Sequence, residues 1–165
     1  MRRATHGALP SQRSVREWAI GGVYGNWVQV TDGRWKYARA PEGDGYPLAM
    51  WSNRWSTMPV HGLGMSLLPA PDHRATLETM PGATVPVIRQ PFVSGDMLPM
   101  FAASQRIVGR HHLYDLDVDP GELENRRGES CEGQAIELLN EALHAVSAPA
   151  EQFVRLGLSS ASGRS

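Results

Sequence analysis

Residues 28–37 read VQVTDGRWKY, and the fold follows from how this stretch is read. Asp32-Gly33 is a dipeptide that tolerates the positive φ angles of a two-residue type I′ turn, which predicts a hairpin with Thr31 opposite Arg34. In that register Val30 pairs with Trp35, Gln29 with Lys36 and Val28 with Tyr37. Val28, Val30, Trp35 and Tyr37 then share one face, and Gln29, Thr31, Arg34 and Lys36 the other. The expectation is a half-buried antiparallel hairpin, apolar inward and polar outward.

Working outward, the apolar run EWAIGGVY (17–24), broken by Gly21-Gly22, predicts a strand with a bulge that leads into the hairpin. On the other side, RIVGRHHLYDLDVDPGELEN (106–125) predicts a strand in two parts around Gly109, made of Ile107 and Val108 and then of residues 112–116. It closes at Asp119-Pro120-Gly121-Glu122, where Asp suits a cap, Pro a first helical position and Glu a third. A helix follows over about 133–146, with Ile136, Leu139, Leu143 and Val146 as its apolar stripe and Glu132, Glu137 and Glu141 turned away or at the flank. After Pro149, EQFVRLGL adds a short apolar turn through Phe153 and Leu156.

Between Pro41 and Gln105 no period of 2 or 3.6 is sustained, and prolines fall among Met, Trp and Gly. Within this segment TVPVIRQPFV (84–93) reads as an edge strand, because its prolines lack the donor a central strand needs. The fold class expected is therefore α+β: a small antiparallel sheet with a C-terminal helix packed on it, plus a long irregular Pro/Gly-rich segment. The organisation expected is a poorly ordered N-terminus (1–16), one domain (17–158, with 41–105 as an irregular insertion) and a disordered tail (159–165).

Composition narrows the function. The chain has 165 residues, enough for one domain with a core, and its 17 Gly and 12 Pro predict many loops. The net charge of −1 supplies no field to draw nucleic acid or an anionic membrane. One cysteine excludes an internal disulfide framework and any multi-cysteine zinc site. With no apolar run of membrane-spanning length and no apolar core like a secretory signal, the chain as it stands is expected in the cytoplasm.

The candidate reactive groups are few. Asp115, Asp117 and Asp119 alternate like a calcium loop, but Pro120 and Arg126 stand where that loop requires Gly and Glu. Alternation on a strand predicts instead a solvated edge for Asp115 and Asp117. His111 and His112 are neighbours and point to opposite faces, so they do not share an ion readily. His61, in MPVHGLG, lies in the irregular segment where loops carry function, and is the candidate substrate-binding residue at a cleft rim. Cys131 sits between Glu129 and Glu132, which disfavour a thiolate. The residues by themselves support no catalytic assignment and no metal site.

Three stretches in series, GGVYGNWVQVTDGRWKYARAP, HHLYDLDVDPGELEN and APAEQFVRLGL, resemble the C-terminal part of sulfatase-family proteins in the alkaline phosphatase superfamily. The resemblance covers most of residues 17–158. It implies a small antiparallel sheet with a helix packed across it, docked on a larger α/β domain that performs sulfuric ester hydrolysis. That catalytic domain carries a Cys/Ser-x-Pro-Ser-Arg motif, whose Cys or Ser becomes formylglycine, and Asp and Asn ligands for a divalent cation, usually calcium. None of these is matched here, since Cys131 is followed by Glu-Gly-Gln. The resemblance thus implies a fragment inactive alone, with a sulfatase N-terminal catalytic domain as partner. The alternative is a non-catalytic interaction module that binds a protein through Trp51, Trp55, Met58, Met65, Met80, Met97 and Met100. An independent metal-dependent hydrolase using His61, His111 or His112 with Asp115 ranks behind both.

Overall fold

The computed structural model describes residues 16–54, 74–94 and 109–158. Four strands, β1 (Ala19–Gly22), β2 (Val28–Thr31), β3 (Trp35–Arg39) and β7 (His112–Asp115), form an antiparallel sheet in the order β1-β2-β3-β7. Three more, β4 (Leu48–Ser52), β5 (Thr76–Thr79) and β6 (Pro86–Phe92), form a second antiparallel sheet in the order β4-β6-β5. Two helices close the described chain, α1 (Glu132–Ala145) and α2 (Ala150–Arg155). The class is α+β.

The hairpin exists, but two residues out of the expected register. Thr31 pairs with Lys36, Val30 with Tyr37 and Val28 with Arg39, so four residues, 32–35, separate the last paired positions of β2 and β3. The cause is the Asp32 side chain, whose Oδ1 accepts the N–H groups of Arg34 at 2.9 Å and Trp35 at 2.7 Å and closes a wider turn than I′ geometry allows. Gly33, with φ of 99°, still supplies the left-handed residue. A slip of two preserves both faces, whereas a slip of one would have exchanged them. Val30 and Tyr37 are accordingly buried, while Gln29, Thr31 and Lys36 lie half-buried on the other side.

The core forms where α1 crosses the inner face of the first sheet. Val30, Tyr37 and Leu113 meet Ala135, Leu139, Ala142 and Leu143, and Phe153, Leu156 and Leu158 complete the cluster. α1 begins within a residue of the expected position, but its buried stripe is rotated. Ala135 and Ala142 take the place of Ile136 and Val146, and Val146 is 50% exposed. Small residues let the helix lie close against the sheet, and Ile136 packs at the flank.

The turn at Asp119 is capped as expected, yet it does not run into the helix. Asp119 accepts the N–H of Glu124 at 2.8 Å through Oδ2, and Glu122 stands at φ of 55°, which stops helical propagation. α1 starts ten residues after Glu122, with Cys131 at its N-cap.

Both helices end in the same way. The N–H of Ala148 reaches the Leu143 carbonyl and that of Ser147 reaches His144, while Leu158 and Gly157 repeat the pattern on Phe153 and Val154. These are two Schellman motifs, with Ser147 (φ 53°) and Gly157 (φ 60°) at the left-handed position. Serine pays a steric cost there that glycine does not. Ser147→Gly is expected to raise stability by about 0.5–1 kcal/mol, read as a higher denaturation midpoint with an unchanged slope.

The second sheet is the largest departure from expectation. The stretch 41–105 was expected to be irregular, but its described part contains β4, β5 and β6. β6, expected at an edge on account of its prolines, is the central strand. Pro86 pairs only with Thr79 of β5, and Pro91 only with Ala49 of β4. Each proline thus lies where β6 has one neighbour, so the missing donors fall outside the doubly paired residues Ile88 and Arg89. The expectations for residues 1–15 and 159–165 lie outside the described residues, and so do Ile107 and Val108.

Candidate functional site

The polar residues of the hairpin and of the stretch 111–126 converge on one another. Asp115 was expected on a solvated edge, but it is 1% exposed, because β7 ends there and places it opposite Trp35 on the inner face. Arg34 reaches it with Nη2 at 2.8 Å and Nε at 3.2 Å, and Arg126 approaches at 3.7 Å. Both guanidinium groups also flank the Trp35 ring, at 5.1 and 5.8 Å from its centroid. The hydrogen bonds from Arg34 hold the Asp115 carboxyl below the usual carboxylate range. Only Asp117, in the turn, keeps the exposure expected of it, and it lies 3.7 Å from Arg34.

Asn125 continues the bracing. Its Oδ1 accepts the Leu113 N–H at 3.0 Å, its Nδ2 donates to the His111 carbonyl at 3.1 Å, and the adjacent Arg126 N–H bonds the Leu113 carbonyl. The outer edge of β7 is thereby occupied by the chain's own loop. Asp115, Asp119 and Asn125 each have a structural partner, so these motif residues hold the unit together.

His111 and His112 lie on opposite faces, as expected. His111 packs 6.3 Å from the Tyr37 ring on the core side, and its Nδ1 accepts the Ala40 N–H at 3.2 Å. Burial, with the nearby Arg39 charge second, holds its pKa below the ordinary 6.5. Protonation in the unfolded chain therefore begins before protonation in the folded one, and the folded state loses stability as pH falls below about 6.5. Denaturation midpoints measured from pH 8 to 5 are expected to fall in this window for the wild type, and less for His111→Gln.

On the opposite face of the first sheet, Gln29, Lys36, Ala38, His112 and Tyr114 surround a recess of about 300 Å³ together with Trp27. Lys36 Nζ bonds both Glu122 carboxylate oxygens, at 2.7 and 2.8 Å, and His112 Nδ1 lies 2.8 Å from the Tyr114 hydroxyl. α1 packs against the inner face, so this outer face is the one that the described helices leave open. It is half-buried, partly aromatic and internally paired.

Among the described residues no three His, Cys, Asp or Glu side chains come together as a ligand set. Cys131 packs half-buried at the edge of the core. His61 lies outside the described residues, as do Trp55, Met58, Met65, Met97 and Met100. Trp51 and Met80, the two described members of that apolar set, line a cleft between the sheets. The Arg34–Asp115 and Lys36–Glu122 pairs had no signal in the sequence, because their partners are 81 and 86 residues apart along it. No helix among the described residues is long and apolar enough to cross a membrane.

No protein-family model, no curated protein and no solved structure matches the chain.

Proposed function

We propose that this chain is the C-terminal portion of a sulfatase-like hydrolase, a bracing subdomain for a catalytic domain that cleaves sulfuric esters. One observation carries the reading. The stretches that bear the resemblance fold into a single unit, in which β1, the β2-β3 hairpin and β7 form one sheet, α1 and α2 pack at its inner face, and neither described helix covers the outer face. That is the arrangement the resemblance implies for a subdomain docked on a larger partner.

The chemistry agrees with a bracing role. Ester hydrolysis in this superfamily needs an activated nucleophile and a cation on the sulfuryl oxygens. The described residues offer neither a ligand set nor a free carboxylate at Asp115, which Arg34 occupies. Formylglycine and the divalent cation belong, on this reading, to the catalytic domain. Trp27, Lys36 and Tyr114 would face that domain across the open side of the sheet.

Affinity capture from the native cell, followed by peptide sequencing, tests the proposal. The expected result is a polypeptide, continuous with this chain or tightly bound to it, that contains Cys/Ser-x-Pro-Ser-Arg. Recovery of the 165-residue chain alone, or with a partner lacking that motif, contradicts it.

A further inference from the structure

The cleft between the sheets contains a charge for which the proposed bracing role has no use. It measures about 460 Å³, within the range of roughly 300–1,000 Å³ typical of small-molecule sites. Ile20, Val28, Leu48 and Leu143 give it apolar walls, and Trp51 and Arg155 belong to the same lining.

Arg155 is 2% exposed. Of the five N–H groups on a guanidinium, one bonds the Asn26 carbonyl at 2.6 Å and another the Gln152 Oε1 at 3.3 Å, both neutral acceptors. Among the described residues no carboxylate lies within ion-pair distance. Glu151, which lines the same cleft, turns to Arg89 at 3.3 Å instead. Tyr24 also lines the cleft, but burial pushes its phenol well above the usual range, so it remains neutral. Burial pulls the Arg155 guanidinium down to about 10, which leaves it charged at neutral pH. A buried cation with neutral neighbours is costly unless an anion joins it. Trp51, in the same lining, has an indole Nε1 with no hydrogen-bond partner, and that atom is itself closed to solvent.

We propose that this cleft binds a small monocarboxylate with a compact aromatic or branched body, its carboxylate held by Arg155 and its body packed along the Trp51 side of the lining. A planar carboxylate fits the guanidinium fork. With Glu151 already paired to Arg89, one uncompensated cation matches a single negative charge, since a dianion would leave one charge buried without compensation. The half-exposed Met80 and Val146 at the lining extend the apolar contact for the ligand body. The assignment stands apart from the sulfatase reading, because no residue of the open sheet face takes part.

Titration of benzoate into the ¹⁵N-labelled full chain tests it, with the Trp51 indole signal identified by its loss in Trp51→Phe. The expected result is a saturable shift of that signal and a raised melting temperature, with no comparable effect from neutral benzamide at equal concentration. Val146→Trp, which adds bulk at the lining and leaves Arg155 in place, is expected to abolish the shift. Arg155→Lys is expected to weaken binding by at least about tenfold through loss of the fork. Should the lysine variant fail to fold, the Val146→Trp comparison decides alone. A shift that does not saturate, an equal response to benzamide, or a benzoate response unchanged in Val146→Trp overturns the proposal.

Discussion

Leu139→Ala is expected to destabilise the protein by about 2–5 kcal/mol, because it deletes a fully buried side chain where α1 crosses the sheet. Leu139 is 0% exposed and belongs to the cluster that holds Val30, Tyr37 and Leu113 of the three strands. Of the neighbouring core positions on the helix, Ala135 and Ala142 are too short to refill the space, and Leu143 is the one longer buried side chain beside it. The cost should therefore fall toward the upper part of the range. For a chain of this size each kcal/mol moves the melting temperature by roughly 2–4 °C, so a drop of about 10 °C is the expected reading. Leu138, by contrast, packs only partly buried against the cluster, and Leu138→Ala should cost clearly less. Equal losses for the two variants would mean that α1 does not sit with Leu139 inward.

Phe92→Ala probes the other sheet and is expected to cost about 3–5 kcal/mol. Phe92 is 2% exposed, pairs with Leu48 of β4 and shares its sheet with buried Ile88. None of these three belongs to the main cluster. The second sheet is nevertheless tied to the rest, because β4 lies against α2 and Arg89 of β6 pairs with Glu151 of α2. Arg39 of β3 adds a further tie, with Nε donating to the Leu156 carbonyl at 2.5 Å and Nη2 to that of Gly157 at 3.2 Å. The two sheets should accordingly unfold together. In Phe92→Ala, helical circular dichroism and tryptophan fluorescence are expected to report one shared, lowered midpoint. A helical signal that melts at the wild-type temperature while fluorescence melts early would show that the second sheet unfolds on its own.

The parts of the fold that were legible in the sequence are those with a clean period. The alternation through Val28, Val30, Trp35 and Tyr37 identified the inner face of the hairpin, and the 3–4 spacing around Leu139 and Leu143 located α1 to within a residue. The loop closure was not legible, because it depends on whether the Asp32 carboxylate turns back on its own backbone, and both turns accept an Asp-Gly pair. The second sheet left little trace. β4 and β5 span five and four residues without alternation, and β6 carries two prolines that are harmless only because of where its neighbours stop.

The buried polar groups were the least legible of all. Asp115 is held by Arg34, 81 residues away, Arg39 by the Leu156 carbonyl, 117 away, and Arg155 by the Asn26 carbonyl, 129 away. A polar side chain on a strand reads as solvated unless its partner is known, and these partners meet only once the sheet and helices have assembled. The same long separations explain why the cleft at Arg155 has no signature in the sequence. Asp115, Asp119 and Asn125 are further cases, since each is held by a group whose position only the assembled fold fixes or by a local backbone N–H.

The central claim is that this chain completes a sulfatase-like enzyme, and the most direct measurement is the DNA sequence immediately upstream of the Met1 codon at the native locus, read in all frames. The account predicts an adjacent stretch, in frame or one frameshift away, that encodes Cys/Ser-x-Pro-Ser-Arg together with metal-binding Asp residues. An upstream sequence that encodes nothing of the kind would contradict it.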